Sequence, residues 1–280
     1  MARRKVRYYF GRLNIIAQRV DKDRLLTQGV QPHTIVMHRG LGWGFFKVAT
    51  LDSPVGEFVH GFVVKYKPET EEEVAIPETH DLDDKTIENK VRAKARFFLH
   101  VPSHIIAYHP VGQEIPRDVF VRRFVELFEA ALGNFFVKAE ILPIDEPHRL
   151  REAMKRLEKI SRIFVYLHPS NPSNRDIWRR TDERLQRLKA SSYREDYQSD
   201  GRSEGLEISD DEELESKIAM AEDGYGRVDI TGQEAGENIT VSTRDMPVTT
   251  LAGTDDEDPE VVLNLLAASV RRILQRFTSE

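Results

Sequence analysis

Residues 43–67 read WGFFKVATLDSPVGEFVHGFVVKYK. Trp43 to Thr50 and Glu57 to Lys67 are rich in aromatic and β-branched residues, and Phe58, Phe62, Val64 and Tyr66 fall on one face at a period of two. Asp52-Ser53-Pro54-Val55-Gly56 between them has the chemistry of a turn, so the two runs pair as a hairpin. Upstream, Lys5 to Gln18 is strand-like. Downstream, Ala95 to Val101 and Ile105 to Tyr108 flank Pro102-Ser103 as a second hairpin. The polar stretch 68–90 between the hairpins, with Pro68, Pro77 and an acidic run over Glu69–Glu73, reads as a surface loop.

Helices then alternate with strands. Pro116 suits a first helical turn, Phe120, Phe124, Leu127 and Ala131 recur at helical spacing, and Gly133 stops the run. Phe135, Val137, Ala139 and Ile141 alternate with charged residues as a half-buried strand. Pro147 opens a helix with Leu150, Met154 and Leu157 as its core stripe, and Ile163 to Leu167 is a short apolar strand of a sheet centre. Asn174 is placed to cap a helix from Arg175 that keeps Trp178, Leu185 and Leu188 on one side. A short helix near Leu214–Met220, strands over Gly226–Thr231 and Asn238–Thr243, and a terminal helix follow. The last is capped by Asp258 with Pro259 at its first position, and Val262, Leu266, Val270, Ile273 and Phe277 form its stripe.

The expected fold class is α+β: a mixed, largely antiparallel sheet with packed helices and a smaller C-terminal α/β portion. The expected division is a β-rich domain over 1–194, an acidic linker or exposed loop over 195–213, and a C-terminal portion over 214–280. The apolar surplus on the terminal helix points to a homodimer.

The chain has no cysteine, which excludes a disulfide framework, a cysteine nucleophile and a thiolate zinc site, and fits a reducing, cytoplasmic setting. No apolar run reaches the roughly 18 residues of a membrane span. No cofactor is expected. Gly40-Leu41-Gly42-Trp43-Gly44 precedes a strand rather than a helix, so it is a turn and strand start and not a phosphate cradle. His100, His104 and His109 alternate across paired strands and are ordinary structural histidines. Asp83-Asp84-Lys85 and Glu88-Asn89-Lys90 have the letters of a metal-dependent nuclease, but a loop is the wrong place for one.

The net charge of −6 is unevenly spread. Residues 147–194 carry 13 basic and 5 acidic groups, and residues 195–260 carry 4 basic and 21 acidic. Arg151, Lys155 and Lys159 fall at i, i+4 and i+8 on the helix from Pro147. Arg180, Arg184 and Arg187 form a second row, with Arg175, Arg179 and Lys189 beside it. Such rows reward a phosphate backbone through counterion release, and the acidic region is their competitor within the chain. The extreme N-terminus is basic as well, from Arg3 to Arg12.

Four runs carry a family resemblance: the hairpin Arg96-Phe97-Phe98-Leu99 to Ile105-Ile106-Ala107-Tyr108 before a Val/Phe helix; Leu157 to Pro169 before an Arg-rich helix; Val228-Asp229-Ile230 before Gln233 to Ile239; and the long terminal helix ending in basic residues. Over residues 95–280 the chain resembles the RexA-type phage-exclusion proteins and, more distantly, the KwaB subunit of the Kiwa defence system. The resemblance implies a cytoplasmic, homodimeric protein of bacterial anti-phage defence that binds double-stranded DNA, with no known catalytic residue. The alternatives are a metal-dependent nuclease or toxin effector, and a non-catalytic subunit that docks a second protein of a defence system.

Overall fold

The computed structural model describes every residue except 1–3, 17–20, 77, 79, 134–136, 171–175, 201–203, 209–210 and 277–280. The chain begins with β1 (Lys5–Ile16), a short helix α1 (Lys22–Gly29) and five strands: β2 (Ile35–His38), β3 (Leu41–Ser53), β4 (Gly56–Ile76), β5 (Asp81–His100) and β6 (Ile105–Tyr108). Helix α2 (Arg117–Ala131), β7 (Lys138–Pro143), α3 (Arg149–Met154), β8 (Lys159–Leu167), α4 (Arg179–Leu188) and β9 (Tyr193–Gln198) follow. Next come α5 (Glu212–Met220), β10 (Gly226–Glu234), β11 (Glu237–Ser242), β12 (Thr249–Gly253) and α6 (Pro259–Gln275).

The fold is α+β, with two antiparallel sheets. The first runs β12-β1-β6-β5-β4-β3-β2, with β7 also paired to β1; the second runs β11-β10-β8-β9. The run Phe97-Phe98-Leu99 on β5 explains why the first sheet needs helices on both faces. Phe97 and Leu99 point into a core with Phe120, Phe124, Leu127 and Phe128 of α2, while Phe98 points the other way, into a core with Val262, Leu266 and Val270 of α6. Each of these buried side chains contributes about 1.5–3 kcal/mol of transfer free energy. In the second sheet Ile163, Val165 and Leu167 face α3, α4 and α5, with Trp178 and Tyr225 among their neighbours.

Both hairpins of the sequence reading form, β3 with β4 and β5 with β6. Four expectations are corrected. Residues 68–90 are no loop: β4 and β5 continue as a two-stranded ribbon from Tyr66↔Val91 to Ile76↔Asp81. Its residues are charged because much of the ribbon is open to water, so no apolar period marks it. The helix from Pro147 ends at Met154, and β8 begins at Lys159, where the backbone turns to pair with Gln233. The expected linker starts as strand β9, which pairs with β8 as far as Gln198. The three-part division therefore fails as well, because the second sheet takes strands from both sides of the 194/195 boundary, while β12 and α6 return to the first sheet.

Leu188, expected in the stripe of α4, is 64 % exposed. Asn174, Arg175, Phe135 and Phe277 lie outside the described residues. The apolar surplus of α6 is largely used inside the molecule: Val262, Leu263, Leu266, Val270 and Ile273 are buried, and Val261 and Leu265 remain exposed. No helix of the described residues is long and apolar enough to cross a membrane.

Candidate nucleic-acid interface

Helix α4 owes its orientation to three buried side chains. Trp178, just before it, and Leu185 sit in the second core. Asp182 accepts hydrogen bonds from the Ser170 amide and hydroxyl, each at 2.7 Å, which ties the helix to the end of β8. Lys189, in the left-handed region at φ 53°, ends it. At 100° per residue this anchoring turns Arg180, Arg184 and Arg187 outward, and all three are exposed. Glu183 shares their face. Arg179 pairs with Asp176 at the helix start. Among the described residues, Arg180, Arg184, Arg187 and Lys189 have no ion-pair partner.

The other expected row does not assemble. Arg151 reaches Glu215 of α5 and His148, so its charge is already engaged. Lys155 is an exposed residue at the C-terminus of α3, and Lys159 is a half-buried residue on β8. They share no helix face. Helix α5 separates α3 from α4: Glu215 contacts Arg151 on one side, and the Ser216 hydroxyl meets the Thr181 hydroxyl at 3.0 Å on the other.

The acidic region spends much of its charge on bases other than those of α4. Asp196 takes a two-pronged contact from Arg162 at 2.8 and 2.6 Å. Glu234 pairs with Arg156 at 3.6 Å. Lys217 is nearly buried; burial alone would weaken its charge, but hydrogen bonds to Glu195 at 2.6 Å and Glu213 at 2.8 Å hold the ammonium well above its usual range.

The sequence reading missed a second surface. On β8, Ile163, Val165 and Leu167 enter the core, so Arg162, Phe164 and Tyr166 stand on the opposite face of the sheet. There the Arg227 guanidinium lies 5.0 Å from the Phe164 ring centre, and that of Arg194 lies 5.3 Å from Tyr166. The signal was the strict alternation within Arg162–Leu167, hidden because Phe and Tyr count as apolar.

The three histidines have structural partners. His100 meets the Ser103 hydroxyl at 2.6 Å and the Val55 carbonyl at 2.9 Å, His104 meets Asp23 at 3.0 Å, and His109 faces Asp255 at 3.7 Å. Among the described residues no three His, Asp or Glu side chains converge as a metal site. Asp83 and Asp84 stand on the ribbon strand β5, and Lys90 pairs with Glu72 across it.

Residues 7–267 match the family described as a domain of unknown function, DUF4747. No curated protein matches the chain.

Proposed function

This chain belongs to the DUF4747 family, and from that premise we propose that it binds nucleic acid by holding the phosphate backbone on the outward face of α4. The observation that carries the reading is the row Arg180, Arg184 and Arg187, exposed and without an acidic partner among the described residues. Arginine forks suit phosphate oxygens, and a row on one helix face tracks a backbone without reading bases. The resemblance to RexA-type proteins supports duplex DNA as the ligand, anti-phage defence as the setting, and the cytoplasm as the place. It also favours a homodimer, which presents two such rows; a monomer mass by light scattering at micromolar concentration rules that part out.

The test is a mobility shift against duplex DNA, single-stranded DNA and RNA at two salt concentrations. Arg180→Glu with Arg184→Glu weakens duplex binding for all sequences alike and lowers the log–log salt slope by about two, at roughly 0.9 for each phosphate no longer held. Both side chains are exposed, so the fold survives the change. Unchanged affinity at both salt concentrations removes this helix as the binding face. Faster proteolysis within 195–213 in the same variant, without loss of affinity, would instead mean that these arginines serve the acidic segment in cis.

A further inference from the structure

A groove of about 570 Å³ opens on the first sheet, beside the turn that leads into α6. It is lined by the aromatic set Phe46, Phe62 and Tyr66 with Val64 and Val91, and by Lys47, Lys94 and Asn89. The volume is that of an ordinary ligand site, roughly 300–1,000 Å³. None of the residues lining it is acidic.

Three features shape this groove. Gly42 lies under the Tyr66 ring, and a Cβ there would come within 2.3 Å of the ring's Cζ. Gly42 therefore gives Tyr66 room to lie against the strand. Next, the register of β3 on β4 shifts between Phe46 and Ala49, a bulge that contains Lys47. Lys47 has φ 51° and Asn89, across the groove, has φ 52°. Two non-glycine residues in the left-handed region on one groove are the kind of local strain that gathers at binding sites. Last, the Phe46 and Tyr66 rings meet edge to face at 6.2 Å and 83°, with Phe46 39 % exposed. Phe62 is already covered by the cations of Lys94 at 5.2 Å and Arg96 at 5.1 Å.

We infer that this groove seats unpaired bases of single-stranded nucleic acid on Phe46 and Tyr66, with Lys47 and Lys94 reaching the flanking phosphates. Aromatic rings offered beside lysines are what sequence-tolerant single-strand binding requires: every base has a face to stack, and every linkage carries one negative charge. Lys94 is held by Asp256 at 3.6 Å, but Asp256 is 93 % exposed, and a phosphate displaces such a pair at small cost. The inference goes beyond the duplex reading of α4, because it places a second surface of different chemistry on the other sheet.

Fluorescence anisotropy with a short labelled oligothymidylate tests it. Phe46→Ala and Tyr66→Ala each weaken binding roughly tenfold or more, Tyr66→Phe keeps it, and Gly42→Ala acts like Tyr66→Ala. Lys94→Gln lowers the salt slope by about one unit at most. Arg180→Glu with Arg184→Glu weakens duplex binding and leaves the oligothymidylate bound. Should an alanine variant fail to fold, light-induced crosslinking of a 5-iodouracil oligonucleotide to the unaltered protein gives adducts on β3 and β4. Duplex binding without single-strand binding overturns the groove and leaves α4 standing. Alanine variants that bind as tightly as the parent overturn it too, as do crosslinks confined to 176–189. So does a fluorescent fatty acid held in the groove that oligothymidylate fails to displace.

Discussion

Arg12 shows how far one residue departs from its neighbourhood in sequence. It closes a basic N-terminal run that reads as surface charge, yet its side chain is 1 % exposed. Its Nε donates to the Asp223 carbonyl at 2.6 Å, and its Nη1 donates to the Ser103 carbonyl at 2.7 Å. Nη2 lies 3.3 Å from the Asp223 carboxylate, and the guanidinium covers the Tyr225 ring at 4.4 Å. Losing Arg12 takes the nearer cation from the buried Asp223 carboxylate, to which Arg276 comes only within 4.0 Å, and removes two hydrogen bonds to buried carbonyls. Arg12→Met therefore lowers stability by about 3–5 kcal/mol in urea unfolding; a loss below about 1 kcal/mol, the range of an exposed pair, would contradict this. Gly224 beside it has φ 84°, and a Cβ there would come within 2.8 Å of the Arg12 Cβ. Gly224→Ala meets both a backbone penalty and a clash, so its melting temperature falls although no polar contact is removed. A melting curve that overlays the parent's would contradict that account.

At the scale of elements, α6 was the most legible. Asp258 accepts from the Glu260 amide at 2.8 Å, Pro259 takes the first turn, and the apolar stripe runs into the core as its spacing predicts. Leu266→Ala leaves a cavity there and lowers stability by about 2–5 kcal/mol. Oligonucleotide and duplex affinities stay unchanged, since α6 contributes none of the proposed contacts; a parallel drop in binding would put the helix in the wrong role. The row on α4 was legible for the same reason: one period of 3.6 describes it. The row from Arg151 to Lys159 was not, because periodicity gives no stop signal where the chain turns at Leu157 to pair Glu158 with the Gln233 carbonyl, 75 residues on. The ribbon over 68–90 was missed because a strand bathed in water has no apolar alternation to read. The groove was out of reach for a third reason. Phe46, Tyr66 and Lys94 meet only through the registers of β3 on β4 and β4 on β5, and the bulges that shift those registers leave no mark in the hydrophobic alternation.

Across the whole molecule, the two sheets meet at a buried ionic junction. The turn Ala221–Tyr225, between α5 and β10, brings Glu222 and Asp223 against Arg12 of β1 and Asp145, which follows β7. Arg276, past the end of α6, donates to the Asp145 carbonyl at 2.6 Å. Burial, with the charge of Glu222 adding to it, pushes the Asp145 carboxyl up to about 8. Burial likewise raises Glu222 to about 7, against the pull of Arg151 and Arg276. A carboxyl whose folded pKa lies above its unfolded one binds more protons in the native state. The stability it lends is complete at acid pH and is lost as pH rises through the folded value. The buried histidines His60, His100 and His104 act in the opposite sense, because burial lowers their pKa values below 6.5 and their folded forms gain stability as pH rises to that point. Above pH 6.5 the two carboxyls are left to govern, Glu222 up to about 7 and Asp145 up to about 8, each at up to about 1.4 kcal/mol per pH unit. The urea midpoint therefore falls from pH 6.5 to 8.5. Asp145→Asn with Glu222→Gln removes most of that fall, because neither amide can ionise at the junction. Midpoints of the parent and the double variant that decline in parallel over this interval would mean that the junction is not what titrates.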